Sequence, residues 1–251
     1  MAARPDDDRS RRRFLAGVGG VGAAVGIGLG LGTVARGSLR HSAAEVEGDE
    51  GGADAWIEVE DTAIEDLMRE HAVLERVLLV YEEGARRLET GAEVAAETLA
   101  GAAGIVRRYI EDHHERDEET HLFPRLERIG AELALIETLL RQHAAGRRLT
   151  SEVLALAAPG TLGDPSARTR LAGALRQFVR MYRPHAAQEN TVLFPSFRKA
   201  VSRKEYETLR ATLEKSERAT FGEHLYEGIL REVAELERAF GIGELAAFTP
   251  P

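Results

Sequence analysis

The sequence predicts an all-α protein, an up-down-up-down four-helix bundle with additional C-terminal helices. Ala, Leu, Glu and Arg dominate the chain and aromatic residues make up only 6% of it, and those four residue types are strong helix formers. Four long segments within residues 62–199 carry apolar residues at helical spacing, with Gly- and Pro-containing breaks between them. Because the first and last breaks are short, we expect neighbouring helices to run antiparallel.

Composition narrows the classes of function. The 251 residues, 43% hydrophobic and 30% charged, suit one globular domain with appendages. A net charge of −9 gives nucleic-acid binding no electrostatic support, so we expect no nucleic-acid partner. The absence of Cys excludes disulfides, cysteine nucleophiles and thiolate metal sites.

The first two helices are predicted from caps, apolar spacing and breakers. The first runs from about Thr62 to Glu89, with Asp61 or Thr62 as N-cap and Gly91 past its end. The second begins at about residue 92, and Pro124 is expected to kink or end it. The apolar stripe of the first helix is Ile64, Leu67, Met68, His71, Leu74 and Leu78. That of the second is Leu99, Ala103, Val106, Ile110, His114, Glu118 and His121.

The third and fourth helices follow the same logic. The third runs from about Ala131 to Ala157, and the fourth from about Ser166 to Lys199. Pro184 is expected to kink the fourth helix just before His185. The two stripes are Ile136, Leu139, Leu140, His143, Thr150 and Val153, then Leu171, Leu175, Phe178, Tyr182, His185 and Glu189.

The domain boundaries follow from these helices. Residues 61–201 form the bundle, and residues 202–251 form a helical extension that packs on it. Ser202-Arg203-Lys204-Glu205 has the pattern of a capping box that opens the extension. We interpret His224, in the extension, as structural or exposed. Its covering residues are predicted to be Leu209, Leu213, Phe221, Leu225, Ile229, Val233, Leu236 and Phe240.

The N-terminal 44 residues are interpreted as an export signal, followed by a linker at 45–60. Ser10-Arg11-Arg12-Arg13-Phe14-Leu15 opens a weakly hydrophobic, Gly-rich run, an order typical of export signals. The string resembles the twin-arginine signal, used by proteins that are exported folded, with Ala16 where that signal often has Lys. We therefore expect export by that machinery to a periplasmic or other extracytoplasmic location, with residues 14–35 either removed or kept as a membrane anchor.

The strongest signal is an internal repeat. His114–Pro124 and His185–Pro195 both have the pattern H-x-x-x-E-x-x-x-L-F-P, and a His and a Glu four residues apart share one helix face. His71 and His143 precede the two pairs at almost equal intervals. Two such helices that face each other offer imidazoles and carboxylates to a carboxylate-bridged pair of metals in a bundle core.

The register of the first pair has an alternative. His113 and Asp117 are also one turn apart. We choose His114 and Glu118 because Glu118 and Glu189 both stand four residues before a Leu-Phe-Pro string. The acidic run Glu115–Glu119 is otherwise expected to be mostly a solvated charged face.

The chain resembles the hemerythrin-like (HHE) cation-binding domain over residues 60–200. The resemblance is carried by the two Leu-Phe-Pro strings and by His71, His114, Glu118, His143, His185 and Glu189. It implies a cofactor of two Fe ions joined by an oxide or hydroxide. It also implies that His71 and His114 hold one metal, that His143 and His185 hold the other, and that both Glu residues span the pair.

One ligand of the family is missing. Oxygen-carrying hemerythrins place a second His one turn after the first on the third helix, and here that position is Arg147. Because a cation cannot bind a metal, both irons are expected to keep open positions. Glu115 is the most credible additional ligand, while His121 and Glu75 are weaker candidates and Tyr182 is a candidate partner of the ligands.

Three functions stay open at this point. The first is a di-iron protein that binds O2 or NO for carriage or sensing. The second is a di-iron enzyme, such as a peroxidase, ferroxidase or NO reductase, or an iron storage or donor protein, on the same site; peroxide is then a further partner. The third is a metal-free helical interaction module, against which the paired H-x-x-x-E patterns argue.

Overall fold

Six helices make up the part of the chain that the structure, a computed structural model, describes: residues 63–222 and 225–250. α1 is Ala63–Thr90, α3 is Leu133–Leu156, α5 is Arg203–Phe221 and α6 is Leu225–Ala239. α2 spans residues 96–128 and α4 spans residues 165–200, and both mix α-helical with π-helical stretches. The described residues contain no strand, so the predicted all-α fold is confirmed.

Several predictions concern residues outside these two ranges. The export signal, the linker, the N-cap at Asp61 or Thr62, and His224 lie outside the described residues. Within the described ranges, none of the helices is sufficiently long and apolar to span a bilayer.

Two clusters of buried apolar side chains establish the course of the four long helices. α1 and α3 pass from the smaller cluster to the larger one, whereas α2 and α4 pass from the larger to the smaller. This alternation is the predicted up-down-up-down arrangement. On each helix, the predicted metal ligands lie between the residues of the two clusters. The bundle therefore has a polar layer in its interior, closed by apolar packing on both sides.

π-helical turns begin at both predicted bridging carboxylates. They cover Glu118–Leu122 in α2 and Glu189–Leu193 in α4, and each leads into an α-helical stretch with Pro at its start. Two outcomes were predicted at Pro124, an end or a kink of the helix. The helix does not end there, because α2 continues to Arg128. A proline ring clashes with the carbonyl four residues before it, and a wider turn relieves that clash. π turns of this kind are frequent at functional sites.

The C-terminal helices cover both apolar clusters. Leu209 and Leu213 of α5 belong to the smaller cluster. Ile229 and Val233 of α6, and Phe240 directly after it, belong to the larger one. α5 begins with the predicted capping box, in which the Ser202 hydroxyl accepts from the Glu205 amide and the Glu205 carboxylate accepts from the Ser202 amide.

Two residues of the predicted stripes do not belong to the core. Met68 is 40% exposed and Leu140 is 38% exposed. Each directly follows a buried Leu, at Leu67 and Leu139. Consecutive residues on a helix point about 100° apart at 3.6 residues per turn, so only one of each pair can face the interior.

Candidate metal centre

The six predicted ligands meet in the polar layer. All are buried: His71 is 6% exposed, His185 3%, His114 2%, and His143, Glu118 and Glu189 0%. The imidazoles form two pairs, with ring centroids 4.5 Å apart for His71 and His114 and 5.0 Å apart for His143 and His185.

The two carboxylates lie between the imidazole pairs. Glu118 places Oε1 3.7 Å from Nε2 of His114 and Oε2 3.6 Å from Nε2 of His143. Glu189 places Oε2 3.2 Å from Nε2 of His71 and Oε1 3.1 Å from Nε2 of His185. Each carboxylate therefore offers one oxygen to each pair, which is the arrangement required to bridge two metals.

The atoms that face the centre lack hydrogen-bond partners. Both oxygens of Glu118, both oxygens of Glu189 and Nε2 of His114 are buried without one. Nε2 of His143 lies 3.2 Å from Nε2 of His185, which brings two imidazole nitrogens together. Buried polar atoms without partners are rare and call for an explanation. Cations between the carboxylates and the imidazoles would satisfy all of them, so the residues present fit a metal pair.

The outward nitrogens of the four imidazoles are all occupied. Each Nδ1 contacts a side-chain oxygen from a neighbouring helix, which leaves Nε2 with its lone pair toward the centre. The contacts are His71 with Asn190 at 2.8 Å, His114 with Glu70 at 2.6 Å, His143 with Glu119 at 2.9 Å and His185 with Gln142 at 2.9 Å. They run from α1 to α2, α2 to α3, α3 to α4 and α4 back to α1. We call these four acceptors the orienting ring.

The orienting ring divides by chemistry between the two halves of the chain. The first half contributes the carboxylates Glu70 and Glu119, and the second half contributes the amides Gln142 and Asn190 at the equivalent positions. Each imidazole pair therefore contains one ring backed by a carboxylate and one backed by an amide.

The protonation of the buried groups also indicates a cation. Burial raises the pKa of Glu118 well above its usual range, and the nearby charges of Glu189 and Glu115 add to the effect. Burial lowers the pKa of His114 to about 4, with the charge of His71 acting in the same direction. Burial also acts to raise the pKa of Glu189, but the His185 and His71 imidazoles outweigh it and lower that pKa. Without metal the two carboxylates therefore differ in charge, and a metal pair would allow both to ionise.

The Leu-Phe-Pro strings close the centre across the repeat. Phe194, from the second half, stacks on His71 of the first, with centroids 5.7 Å apart and planes 11° apart. Phe123, from the first half, stacks on His143 of the second, at 5.8 Å and 20°. The strings therefore hold the imidazoles of the opposite half, which accounts for their repetition.

The comparison with known families agrees with this geometry. The Hemerythrin HHE cation binding domain matches residues 62–196, more than half of the chain, and again residues 134–240. The chain belongs to this family. The second match begins at residue 134, 72 residues after the first at 62, and the same interval separates His71 from His143. The hemerythrin HHE domain binds metal cations, and its buried His and Glu clusters lie in the polar layer described above.

Two mycobacterial proteins illustrate the similarity over most of the chain. The uncharacterized proteins Mb2018 of Mycobacterium bovis and Rv1995 of Mycobacterium tuberculosis are each 42% identical over 193 residues. The alignment covers 77% of this chain and 76% of each relative. No solved structure matches.

The position of the missing hemerythrin His is part of a charged network. Arg147 places Nη2 2.9 Å from Oε2 of Glu115 and also pairs with Glu119, which holds His143. The Tyr182 hydroxyl donates to Glu115. A Cβ on Gly146 would overlap that hydroxyl and would lie 2.8 Å from Cζ of Tyr182, so only Gly permits this approach. Burial raises the pKa of Glu115 to about 8.

The additional candidates of this hemerythrin-like site separate into two groups. Glu115 lies with Glu119 and His143 in a cluster able to hold a metal, and Tyr182 contacts Glu115. Glu75 does not reach the site: it is exposed and lies 2.9 Å from Arg183, because its position on α1 points outward. His121 is half-buried and belongs to none of the metal-ligand clusters among the described residues.

The structure shows where the residues of the alternative register lie and how much of the acidic run is buried. His113 contacts Glu70 at 3.1 Å and Asp117 at 3.6 Å, and neither His113 nor Asp117 belongs to a metal-ligand cluster of the described residues. Glu115 and Asp117 are buried, not solvated. Glu118 is also buried and Glu119 is half-buried, whereas Arg116 is exposed, so most of the run faces the interior.

The four acceptors of the orienting ring were not predicted from the sequence, although their positions follow a simple pattern. Every member is the immediate chain neighbour of a predicted ligand: Glu70 precedes His71, Gln142 precedes His143, Glu119 follows Glu118 and Asn190 follows Glu189. Each serves a His on a different helix, so sequence proximity marks the residues but not their partners.

Proposed function

We propose that this hemerythrin-like domain binds two iron ions and uses them to bind O2 or NO. His71 and His114 hold one iron, His143 and His185 hold the other, and Glu118 and Glu189 span both. The observation that supports this is the position of the two carboxylates, each with one unpartnered oxygen toward each imidazole pair. Imidazole and carboxylate without thiolate suit iron.

The charge of such a centre favours small anionic or reducible ligands. Two ferrous ions with two carboxylates carry a net charge of about +2. The bound iron would supply electrons and open coordination positions. The protein's own contribution is to hold each Nε2 toward the centre through the orienting ring and to keep water out with Phe123, Phe194 and the two apolar clusters.

Metal content and an absorption spectrum test this proposal. The protein is purified without oxygen, its metals are counted per chain, and the spectrum is recorded before and after air is admitted. Two irons per chain and an oxygen-dependent absorption band that reverses when O2 is removed are expected. Fewer than one metal per chain would contradict the proposal.

A second candidate function is a di-iron enzyme, a peroxidase, ferroxidase or NO reductase. The observation that favours it is the Tyr182–Glu115 hydrogen bond beside the position where oxygen carriers have a further His. Irreversible oxidation by air, with turnover of peroxide, Fe2+ or NO that falls in Tyr182→Phe at unchanged metal content, would select this function. Iron well above two per chain would point to storage or donation instead.

Export is proposed as the route to the site of action. The support is the S-R-R-x-F-L string at residues 10–15. Replacement of both Arg11 and Arg12 by Lys is expected to keep the protein in the cytoplasm, as measured by cell fractionation. Arg13→Lys, at the variable position of the pattern, is the matched control. Equal fractionation of the three proteins would contradict this route.

A further inference from the structure

Glu111 is a buried carboxylate that the metal centre does not use. It lies one turn before Glu115 on α2, its side chain is 0% exposed, and neither of its oxygens has an aligned hydrogen-bond partner. The hydroxyls of Tyr81 on α1 and Thr150 on α3 are also buried without partners. Thr150 lies beside the Glu111 carboxylate. Burial raises the pKa of the Tyr81 hydroxyl, and the charge of Glu111 adds to that effect. Polar groups that are buried together with so few aligned hydrogen bonds indicate bound water.

This group of residues connects on one side to solvent. Arg107, one turn before Glu111, places Nη1 2.9 Å from Oε2 of Glu111, and its side chain is 33% exposed. The Arg107 guanidinium also donates to the exposed Ser151 hydroxyl at 2.8 Å. The outer end of the polar group therefore reaches the surface between α2 and α3.

On its other side the group approaches the metal centre. Glu115 is one turn further along α2, and its carboxylate is within 4.8 Å of ligand atoms of Glu119 and His143. Tyr182 and Arg147 bind Glu115 and stand beside it. The backbone across this interval, Val106–His114, is π-helical, a feature frequent at functional sites.

Opposing influences act on the charge of Glu111. Burial favours the neutral acid and raises its pKa, whereas Thr150, Arg107 and Arg147 favour the carboxylate and oppose that rise. The other titratable groups that act with or on Glu111 are Asp112, Glu115, Tyr81 and Tyr182. An acid held by burial alone would stay neutral, and one in an aligned ion pair would stay ionised. Glu111 has part of each environment.

We propose that Glu111, with Tyr81 and Thr150, forms a hydrated proton-exchange site between the metal centre and solvent at Arg107. A proton leaves the Glu111 carboxyl for a water on the side of Glu115, and the carboxylate takes the next proton from a water at the Arg107 opening. The reverse sequence releases protons, and the net charge of the site is restored in both directions. The role rests on the proposed function, because it serves a centre that binds metal.

The first experiment uses the metal-free protein. Infrared difference spectra between wild type and Glu111→Gln are recorded across the neutral pH range, with Asp112→Asn, an exposed neighbour, as the matched control. We expect a carboxylic-acid C=O band that titrates in wild type and in Asp112→Asn. The band should be absent from Glu111→Gln. A Glu111 signal that stays ionised throughout would overturn the proposal, whether or not the protein binds metal.

The second experiment uses the metal-loaded protein. Proton release or uptake on oxidation by air is followed with a pH indicator in a stopped-flow instrument. Glu111→Gln is expected to slow this proton transfer at least tenfold. Thr150→Val is expected to slow it as well, and the metal content of both variants should stay at the wild-type value. Wild-type proton rates in both variants would overturn the proton-exchange role. Loss of metal in wild type itself would instead count against the proposed function.

Discussion

Glu70 Oε2 lies 2.6 Å from Nδ1 of His114, so a carboxylate on α1 orients an imidazole on α2. The other oxygen of Glu70 lies 3.1 Å from Nε2 of His113. Burial acts to raise the pKa of Glu70, but the two His residues outweigh it and hold the pKa at about 2. The carboxylate is therefore ionised at neutral pH. An ionised group behind an imidazole makes that imidazole a better metal ligand.

Glu70→Gln is expected to weaken metal binding without unfolding the bundle. The amide can still accept from His114, but it lacks the negative charge, and loss of such a partner costs roughly 10–100-fold in metal affinity. Competition with a chelator measures the affinity. Glu75→Gln, on the exposed face of the same helix, should leave it unchanged. Equal affinities for both variants would show that the charge of Glu70 has no role.

The double variant Glu118→Ala/Glu189→Ala is expected to lose metal. It removes both spanning carboxylates, which together offer one oxygen to each imidazole of the two pairs. Metal analysis measures the loss, and circular dichroism of the metal-free proteins checks that the bundle still folds. Glu75→Ala/Glu82→Ala, which removes two carboxylates bound to Arg183, carries the same charge change. Full metal occupancy in the first variant would refute the bridging assignment.

Gly146→Ala is expected to destabilise the protein by about 1–3 kcal/mol, the usual cost of overpacking. The new methyl group would overlap the Tyr182 hydroxyl. Tyr182→Phe removes that hydroxyl, so adding it to Gly146→Ala should recover part of the loss. Chemical denaturation measures the free energy of unfolding. Gly173→Ala on α4, where a Cβ meets nothing within 4 Å, should be neutral or slightly stabilising. The same loss at both glycines would argue against the contact with Tyr182.

The stability of the metal-free protein is expected to depend on pH through Glu115. Burial raises the pKa of Glu115 in the folded chain to about 8, from 4.5. A raised pKa means that the folded state holds the proton more tightly, so its contribution is complete below pH about 4.5 and is lost as pH rises through about 8. Glu115→Gln cannot lose a proton, so it should gain stability relative to wild type over this window. Denaturation at several pH values measures the slope, and parallel curves for the two proteins would contradict the expectation.

Much of the fold and the centre of the site could be predicted from local spacing. The H-x-x-x-E pairs place His and Glu on one helix face, and the near-equal intervals from His71 to His114 and from His143 to His185 relate the two halves. The capping box at Ser202 needs only the four residues that form it. These features depend on contacts within one helix or on repetition, and a single sequence carries both.

The rest depends on contacts between helices that spacing does not specify. Nothing near Asn190 in the sequence indicates that it faces His71, 119 residues away. The acidic run around Glu115 has the composition of a solvated face, and only the packing of other helices over α2 buries Glu115, Asp117 and Glu118. Glu75 stands one turn after His71, yet it is exposed and lies 2.9 Å from Arg183 of α4. The sequence predicts a kink or an end at Pro124, but not the π turns that begin at Glu118 and Glu189.

The orienting ring has a consequence for how the protein matures. Each of its contacts joins a different pair of neighbouring helices, and the last one joins the end of the bundle to its beginning. A nascent chain that has assembled only the first hairpin has Glu70 behind His114, but it lacks both amides and half of the imidazoles. High-affinity metal binding therefore requires that all four helices have assembled. A bound metal then indicates that the bundle is folded.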